Sequence, residues 1–251
     1  MAEKIRLDLL VAQKLAVSRE KAQALIIAGA VLADEQKIQK PGTLVKAAAV
    51  IRLLGAQCPY VSRGGLKLAG ALDAFGVSPR GLRCLDVGAS TGGFTDCLLQ
   101  RGAELVIALD VGYNQLDWKI RSDPRVIVLE KINFRYMTGE QLLKITRLPR
   151  LNLQFATVDV SFISLEKILP PLFAVLENGA RVVALVKPQF EAERGEVGKG
   201  GIVKDPAVHD KVQEKVRGYA AQAGFKILGE SVSAITGADG NREFFIYLTK
   251  A

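Results

Sequence analysis

The residues from Cys84 to Phe94, C-L-D-V-G-A-S-T-G-G-F, decide the fold of this chain. An apolar run ends at Val87, glycines follow, and a pattern of helical period continues from Phe94 to Leu99. A strand, a glycine turn and a helix form the opening unit of a doubly wound α/β sheet. Ligands of such sheets bind beyond the carboxyl ends of the strands, so we expect the binding site at this turn.

The glycine spacing and the next strand indicate the ligand. From Gly88 to Gly93 the turn has the pattern G-x-x-x-G-G, unlike the G-x-G-x-x-G that seats a pyrophosphate on a helix N-terminus. The following strand, Leu105–Leu109, ends in Asp110, and a carboxylate at this position binds ribose hydroxyls. A nucleoside without a diphosphate fits both features, and we predict S-adenosyl-L-methionine as the cofactor. The alternative is a glycine turn in an α/β protein of another function.

The basic charge of the chain is concentrated near its start. The 251 residues carry a formal net charge of +8. Residues 1–64 contain ten lysines and arginines against five acidic residues, whereas residues 65–251 contain 24 against 21. This excess suggests a polyanionic partner for the N-terminal part, although ordinary surface charge is the simpler explanation.

Cysteine and histidine usage excludes several classes of protein. Cys58, Cys84 and Cys97 have no ligand-like spacing, and His209 is the single histidine. A disulfide framework and a histidine-based metal site are therefore not expected, and we predict no metal. The sequence shows no signal-peptide core and no apolar stretch of about 18–20 residues. We expect a cytoplasmic protein that does not act in a membrane.

Residues 4–54 predict a small α+β module. Helical patterns cover Arg6–Leu15 and Ser18–Ile27, with Gly29 as the stop, and β-like runs follow at Ala30–Leu32 and Val50–Leu53. We place this domain with the start of its linker at residues 1–59, the linker itself at Gly55–Pro59, and a second domain at residues 60–251. The residues predicted to contact RNA are Arg6, Arg19, Lys21, Lys37, Lys40 and Arg63.

Three motifs of this module resemble the alpha-L RNA-binding domain found in a ribosomal protein, pseudouridine synthases and tyrosyl-tRNA synthetases. They are R-L-D-x-L-L, S-R-x-x-A-x-x-L-I-x-x-G-x-V and V-x-x-x-A-V-I-R-L. The family usually has N-G after the G-x-V strand, where this chain has Ala33-Asp34-Glu35-Gln36. This difference alters the turn after the strand, whereas the rest of the family's motif is retained.

The second domain predicts a seven-stranded sheet. Further strands are expected at Val126–Leu129, Gln154–Val158 and Ala180–Val186, a helix from Asp205 to about Gln222, and a final antiparallel pair. This order matches a class I (Rossmann-like) methyltransferase. The predicted cofactor-binding residues are Asp86, Gly88, Ala89, Ser90, Thr91, Gly92, Gly93, Phe94, Asp110, Val111, Asn133 and Asp159.

Four ionisable residues stand at strand or helix ends on one predicted rim of the sheet: Lys67, Asp159, Lys187 and Glu243. In this order they resemble the K-D-K-E catalytic tetrad of FtsJ-type RNA ribose 2′-O-methyltransferases. Joined to the alpha-L domain, the chain resembles the TlyA family, also called haemolysin A. The resemblance implies methylation of a cytidine ribose in ribosomal RNA of the small subunit, the large subunit or both, with the ribosomal subunits as partners.

The chemistry of the tetrad agrees with that resemblance. A ribose hydroxyl is a poor nucleophile that must lose its proton as the methyl group arrives, and the enzyme mainly aligns the reacting atoms. Lys187 is the candidate that takes the proton. Asp159 and Glu243 are expected to hold the lysines and the hydroxyl in position.

Three other functions remain open at this stage. Base methylation would typically require D/N-P-P-Y/F after the fourth strand, where this chain has Asp159-Val-Ser-Phe162, or a cysteine nucleophile. An RNA-binding assembly factor with an inactive methyltransferase fold would fail to bind the cofactor. A pore-forming haemolysin is opposed by the intact cofactor turn and the absence of an apolar span.

Overall fold

The chain folds into two units that divide between Gln57 and Cys58. The structure is a computed structural model that describes residues 4–53, 58–237 and 240–251, without the side chain of Arg194. The predicted linker Gly55–Pro59 lies partly outside the described residues, as do residues 237–241, where the sequence predicts the turn that joins the final antiparallel pair. Within the described residues, no helix has the length and apolar character needed to cross a membrane.

The N-terminal unit packs two helices against short strands. Leu7, Val11, Ala22, Ile26 and Val31 are buried together and form the centre of its core. The elements are β1 (Lys4–Arg6), α1 (Leu7–Leu15), α2 (Arg19–Ile27), β2 (Val31–Ala33), β3 (Gln36–Lys37), β4 (Leu44–Lys46) and β5 (Ile51–Leu53). Strand β1 pairs with β4, and β2 lies between β3 and β5. Both helices were predicted, whereas β1, β3 and β4 were not, because two or three residues are too short to show an alternating pattern.

The turn between β2 and β3 explains how the chain manages without the usual N-G. Ala33 pairs with Gln36, so only Asp34 and Glu35 form the loop, and their φ angles are 49° and 64°. Such a turn favours glycine and asparagine because both loop residues have positive φ. Here the side chains compensate: Asp34 accepts a hydrogen bond from the Val50 backbone N–H at 2.9 Å, and Glu35 pairs with Arg52 at 2.5 Å.

The C-terminal unit contains the predicted seven-stranded sheet, and the class I fold is confirmed. Its strands are β6 (Arg83–Val87), β7 (Leu105–Leu109), β8 (Val126–Leu129), β9 (Phe155–Val158), β10 (Arg181–Val186), β11 (Phe225–Val232) and β12 (Phe244–Lys250). The spatial order is β11-β12-β10-β9-β6-β7-β8, and β12 runs antiparallel to both of its neighbours. Strands β7 and β8 are added on one side of β6 and β9 on the other, with both neighbours parallel to β6. The end of β6 is therefore a topological switch point, where such sheets bind ligands.

Helices cover both faces of this sheet. They are α3 (Gly64–Phe75), α4 (Gly93–Gln100), α5 (Trp118–Arg121), α6 (Gly139–Thr146), α7 (Leu169–Val175), α8 (Pro188–Glu191) and α9 (Pro206–Gln222). Alternate residues of β10 enter different cores: Val182 and Ala184 pack on one face, and Val183 and Leu185 on the other. Because both faces of the parallel part of the sheet are buried, a strand such as β10 is a continuous apolar run.

The stretch from Glu191 to Lys204 is rich in Gly, Lys and Glu, a composition typical of a mobile loop, yet it contains local structure. Two short 3-10 helices occupy Arg194–Glu196 and Lys199–Gly201. The buried side chain of Asn241 accepts a hydrogen bond from the Val203 N–H and donates one to the Gly201 carbonyl, both at 2.9 Å. The Gly- and Lys-rich composition did not reveal this contact, because Asn241 is distant in sequence.

A buried carboxylate organises the start of the N-terminal unit. Asp8 is fully buried and accepts hydrogen bonds from Arg6 at 3.0 and 2.9 Å, from Arg19 at 3.1 Å and from Gln23 at 2.9 Å. The Arg6 guanidinium, with help from Gln23 and Arg19, holds the pKa of Asp8 well below its usual range even though burial acts in the opposite direction. The carboxylate thus joins β1, α1 and α2.

We expect Asp8→Asn to lower the free energy of unfolding by about 2 kcal/mol at neutral pH, because hydrogen bonds to a charged group are lost. Since the pKa of Asp8 is lower in the folded state, its stabilisation is present above the unfolded pKa of about 3.9 and is lost as the pH falls below it. Urea unfolding of wild type and variant at pH 7 and pH 3 measures this, with the exposed Glu177→Gln as control. Equal stability at pH 7 would contradict the role.

Candidate active site

Gly88 brings the cofactor turn against the end of β9. Its φ is +89°, and a Cβ at this residue would lie 2.4 Å from the carbonyl oxygen of Asp159. The backbone N–H groups of Gly88 and Ala89 donate to the Leu109 carbonyl at 2.8 and 3.1 Å. Any other residue here would force β6 and β9 apart, so the glycine is required by both its dihedral angle and its contact.

Asp110 ties the turn to the next strand. Its carboxylate accepts hydrogen bonds from the backbone N–H groups of Ser90 at 2.8 Å and Gly112 at 2.6 Å, one on each oxygen. Each carboxylate oxygen has two lone pairs, so both can also accept a hydrogen bond from a ribose hydroxyl. The structure therefore places Asp110 as the sequence predicted, at the wall of a depression.

This depression, the cofactor cleft, has a volume of about 370 Å³. The predicted residues Gly88, Ser90, Asp110, Val111, Asn133 and Asp159 line it, together with Val87, Leu109, Gln115, Ile132, Phe134, Val160, Ser161, Phe162, Ile163 and Ile168, which were not predicted. An apolar cleft with a few polar groups suits a purine ring and a ribose. The residues present therefore fit S-adenosyl-L-methionine. The apolar walls include Val87 and Leu109, which end β6 and β7, and residues of the segments that follow the strands.

A second depression adjoins the first and shares Gly88, Ser90 and Asp159 with it. Its volume is about 180 Å³. The remaining residues that line it are Ser62, Arg63, Gly64, Lys67, Ala89, Thr91, Gly93, Phe94 and Thr236. The catalytic candidates Lys67 and Asp159 thus border space that is continuous with the predicted cofactor turn.

Asp86 and Gly92 are not among the described residues that line either depression, and their predicted contact with the cofactor stays a prediction. Asp86 has 0% exposed surface and accepts hydrogen bonds from the hydroxyls of Thr95 at 2.6 Å and Thr157 at 2.9 Å. Burial raises the pKa of Asp86 to about 7. Gly92 faces Leu116, since a Cβ there would lie 2.9 Å from its side chain. Both residues shape the turn from beneath.

The four catalytic candidates form two ion pairs. Lys67 donates to the Glu243 carboxylate at 2.5 Å, and Glu243 is 2% exposed. Gly237 permits the pair, because a Cβ there would lie 2.6 Å from Oε1 of Glu243. The Nζ of Lys187 lies 2.6 Å from Oδ1 of Asp159, without the alignment of a hydrogen bond. Each lysine is therefore held by a carboxylate from a different element.

Two neighbours of Lys187 were missed as site residues. Lys187 donates a hydrogen bond to Oγ of Ser161 at 2.9 Å. Phe162 is 91% exposed, has a φ of +64°, and its ring centroid lies 5.1 Å from that of Phe190. From the sequence, Val-Ser-Phe after Asp159 serves only as evidence against a base methyltransferase. The structure adds a hydroxyl that binds the lysine and an exposed ring that packs against Phe190, whose own centroid lies 5.9 Å from Nζ of Lys187.

The residues predicted to contact RNA are divided between the two units. Lys21, Lys37 and Lys40 are exposed in the N-terminal unit, where Arg6 and Arg19 are held by Asp8 and remain about half exposed. Arg63 belongs to the C-terminal unit, lines the second depression and donates to the Thr236 carbonyl at 3.3 Å. Among the described residues, no group of three or more potential ligand side chains is placed to hold a metal ion.

Known proteins resemble both parts of the chain. Residues 60–250 match the family described as FtsJ-like methyltransferase, and residues 5–51 match the S4 domain. The Bacillus subtilis protein named "Putative rRNA methyltransferase YqxC" is 49% identical over 248 residues, which cover 98% of this chain and 86% of that protein. The Mycobacterium tuberculosis protein named 16S/23S rRNA (cytidine-2′-O)-methyltransferase TlyA is 44% identical over 250 residues, with coverage of 99% and 91%.

A solved structure extends the similarity to three dimensions. It is described as "Putative hemolysin from Streptococcus thermophilus" and superposes with a TM-score of 0.77 at 44% identity. The superposition covers 100% of this chain and 90% of that one.

We expect Gly88→Ala to weaken binding of S-adenosyl-L-methionine about tenfold or more, because the Cβ displaces the Asp159 backbone from the cleft. Isothermal titration calorimetry measures the affinity. Gly218→Ala is the matched control: Gly218 lies within α9 with nothing within 4 Å of its added Cβ, so binding should not change. Unchanged binding in the Gly88 variant would refute the importance of this contact.

Proposed function

This chain belongs to the FtsJ-like methyltransferase family with an N-terminal S4 domain, the TlyA family, and we propose that it methylates the ribose 2′-hydroxyl of a cytidine in ribosomal RNA. It is an S-adenosyl-L-methionine-dependent RNA methyltransferase. The relatives act, by their names, on ribosomal RNA and, for the Mycobacterium tuberculosis protein, on cytidine 2′-hydroxyls of both 16S and 23S RNA. We extend that substrate to this chain, with the ribosomal subunits as its partners.

The observation that carries the proposal is the pairing of Lys187 with Asp159 at the edge of the cofactor cleft. The cofactor supplies, when bound, a methyl group already activated by a sulfonium. The task left to the protein is to align the ribose oxygen and to remove its proton as the oxygen–carbon bond forms. Lys187, in its uncharged form, takes this proton on Nζ. Asp159 then stabilises the ammonium that results.

The other ion pair supports a positioning role. Lys67 and Glu243 are joined at 2.5 Å, and Lys67 borders the second depression. An ammonium held in place by a buried carboxylate can donate a hydrogen bond to the target hydroxyl and orient its lone pair towards the methyl group. Ser161 accepts from Lys187 at 2.9 Å, which further restricts the rotamer of the catalytic lysine.

The local structure after β9 favours ribose over base chemistry. The prolines that grip a base in amino-group methyltransferases are replaced by Val160 and Ser161, and the Ser161 hydroxyl is already engaged by Lys187. Among the cysteines, Cys84 and Cys97 are buried, and burial raises the pKa of Cys97 to about 12. These two thiols are therefore unsuited to act as nucleophiles.

The S4 domain supplies a basic surface for the RNA. Asp8 fixes the guanidinium groups of Arg6 and Arg19 while leaving donors free for phosphate, since each arginine carries five N–H groups. We propose that these two residues, with Lys21, Lys37 and Lys40, contact the RNA backbone, and that Arg63 binds it next to the active site.

Transfer of labelled methyl from S-adenosyl-L-methionine to ribosomal subunits from a strain lacking this protein tests the reaction. We expect label in the wild-type reaction at a nucleotide whose 3′ linkage resists alkaline cleavage, as 2′-O-methylation requires. Label on a base would overturn the ribose assignment. Cofactor binding without transfer to either subunit would overturn the proposed substrate.

Lys187→Ala should lower the transfer rate by about 10²- to 10⁴-fold, because the proton acceptor is lost. The affinity for the cofactor should stay within about threefold of wild type, since Lys187 is not among the described residues that line the cleft. Single-turnover transfer and calorimetry measure the two quantities, and the exposed Lys226→Ala is the control. Wild-type transfer by the Lys187 variant would refute the assigned role.

Phe162→Ala should raise the KM for RNA about tenfold or more, because an exposed ring that directly follows Ser161 offers a stacking surface for an unstacked base. Phe162→Tyr keeps the ring and should behave like wild type. Steady-state transfer at saturating cofactor measures the effect. An unchanged KM in the alanine variant would exclude stacking at this position.

A further inference from the structure

Two strand ends carry the reacting groups, and the segments that follow them are joined at several points. The segment after β9 contains Asp159, Ser161 and Phe162, and the segment after β10 contains Lys187 and Phe190. Lys187 contacts Asp159 and Ser161, and the two phenylalanine rings pack together. These contacts all involve groups at the surface of the site.

The backbone of the β9 segment is strained where it passes the lysine. Phe162 has a φ of +64°, a conformation that is unfavourable for an aromatic L-residue. Its side chain is 91% exposed, so the packing of Phe162 itself does little to hold this conformation. A strained residue persists only where the residues around it fix the chain, and the fixing contact must lie nearby.

Glu191 supplies such a contact from inside the protein. Its side chain is 5% exposed, and its carboxylate accepts hydrogen bonds from the Ser164 hydroxyl at 2.6 Å and the Leu165 backbone N–H at 2.8 Å. Ser164 follows Phe162 by two residues, so the bonds hold the end of the strained segment. Burial raises the pKa of Glu191, although both hydrogen bonds act in the opposite direction.

Glu191 is also fixed relative to the catalytic lysine. It ends α8, the single helical turn that begins directly after Lys187. From α9, Lys215 donates a hydrogen bond to the Glu191 backbone carbonyl at 3.2 Å. The carboxylate therefore connects the segment that carries Asp159 to the segment that carries Lys187, at a place that borders neither depression among the described residues.

We propose that Glu191 is a positioning residue that holds the Asp159–Ser164 segment against α8, so that Asp159, Ser161 and Lys187 keep their reactive arrangement. The inference rests on the proposed function, because the arrangement matters only if Lys187 takes the ribose proton. Glu191 itself touches neither RNA nor cofactor. Its contribution is expected in the rate of the transfer step rather than in the affinity for RNA.

The test compares three substitutions at one position. Glu191→Ala removes both acceptors and should lower kcat tenfold or more with the KM for RNA within threefold of wild type. Glu191→Gln keeps the length and can still accept from the Leu165 N–H, so its kcat should stay within threefold of wild type. Glu191→Asp keeps the charge but is one methylene too short, and its kcat should fall as far as that of the alanine variant.

Two controls separate positioning from simple destabilisation. Val216→Ala removes a fully buried side chain of α9 from the same core and should leave kcat unchanged at temperatures where it is folded. The double variant Ser164→Ala, Glu191→Ala should have the same kcat as Glu191→Ala alone, because both substitutions remove the same hydrogen bond. Circular dichroism melting of each variant establishes that it is folded under the assay conditions.

The outcomes for the two proposals are distinct. A wild-type protein that transfers no methyl to ribosomal RNA refutes the proposed function. An active wild type with a Glu191→Ala variant of equal kcat refutes the positioning role alone. A Glu191→Gln variant as slow as Glu191→Ala, or a Val216→Ala variant that loses kcat to the same extent, also refutes it.

Discussion

The close approach of the Gly88 backbone to the Asp159 carbonyl is the constraint on which the site depends. Because the added Cβ of any other residue would lie 2.4 Å from that oxygen, the end of β6 and the end of β9 can meet only through glycine. The contact places the cofactor turn, Asp110 and Asp159 around one space. Asp159 also pairs with Lys187, so the position of the β9 end affects the position of the lysine that follows β10.

Two buried aspartates show how surroundings decide the behaviour of one residue type. Arginine side chains donate hydrogen bonds to Asp8, and they lower the pKa of this carboxyl below its usual range. Asp86 is met by two threonine hydroxyls, which donate hydrogen bonds without positive charge, and burial raises its pKa to about 7. The first carboxylate fixes the guanidinium groups of two arginines, and the second supports a turn from beneath.

The active site is built from pairs rather than from single residues. Lys67 and Glu243 lie far apart in sequence, as do Lys187 and Asp159, and each lysine is held by a carboxylate at 2.5 or 2.6 Å. A held lysine has a restricted rotamer, which lowers the entropy lost when a ribose is aligned. Ser161 adds an uncharged contact to the second pair, and the buried Glu191 binds Ser164 and Leu165 farther along the segment that follows Asp159.

The sequence by itself determined the class I sheet, the N-terminal helices, the cofactor turn and the identity of the four catalytic candidates. These depend on local signals, namely apolar period, glycine spacing and the residue that follows a strand. Only the tertiary structure decided that Asp86 and Gly92 lie beneath the turn, that Asp34 and Glu35 form a left-handed turn, that Ser161 accepts from Lys187, and that Glu191 binds Ser164 and Leu165. Such contacts join residues distant in the chain, and their direction depends on packing that no short stretch encodes.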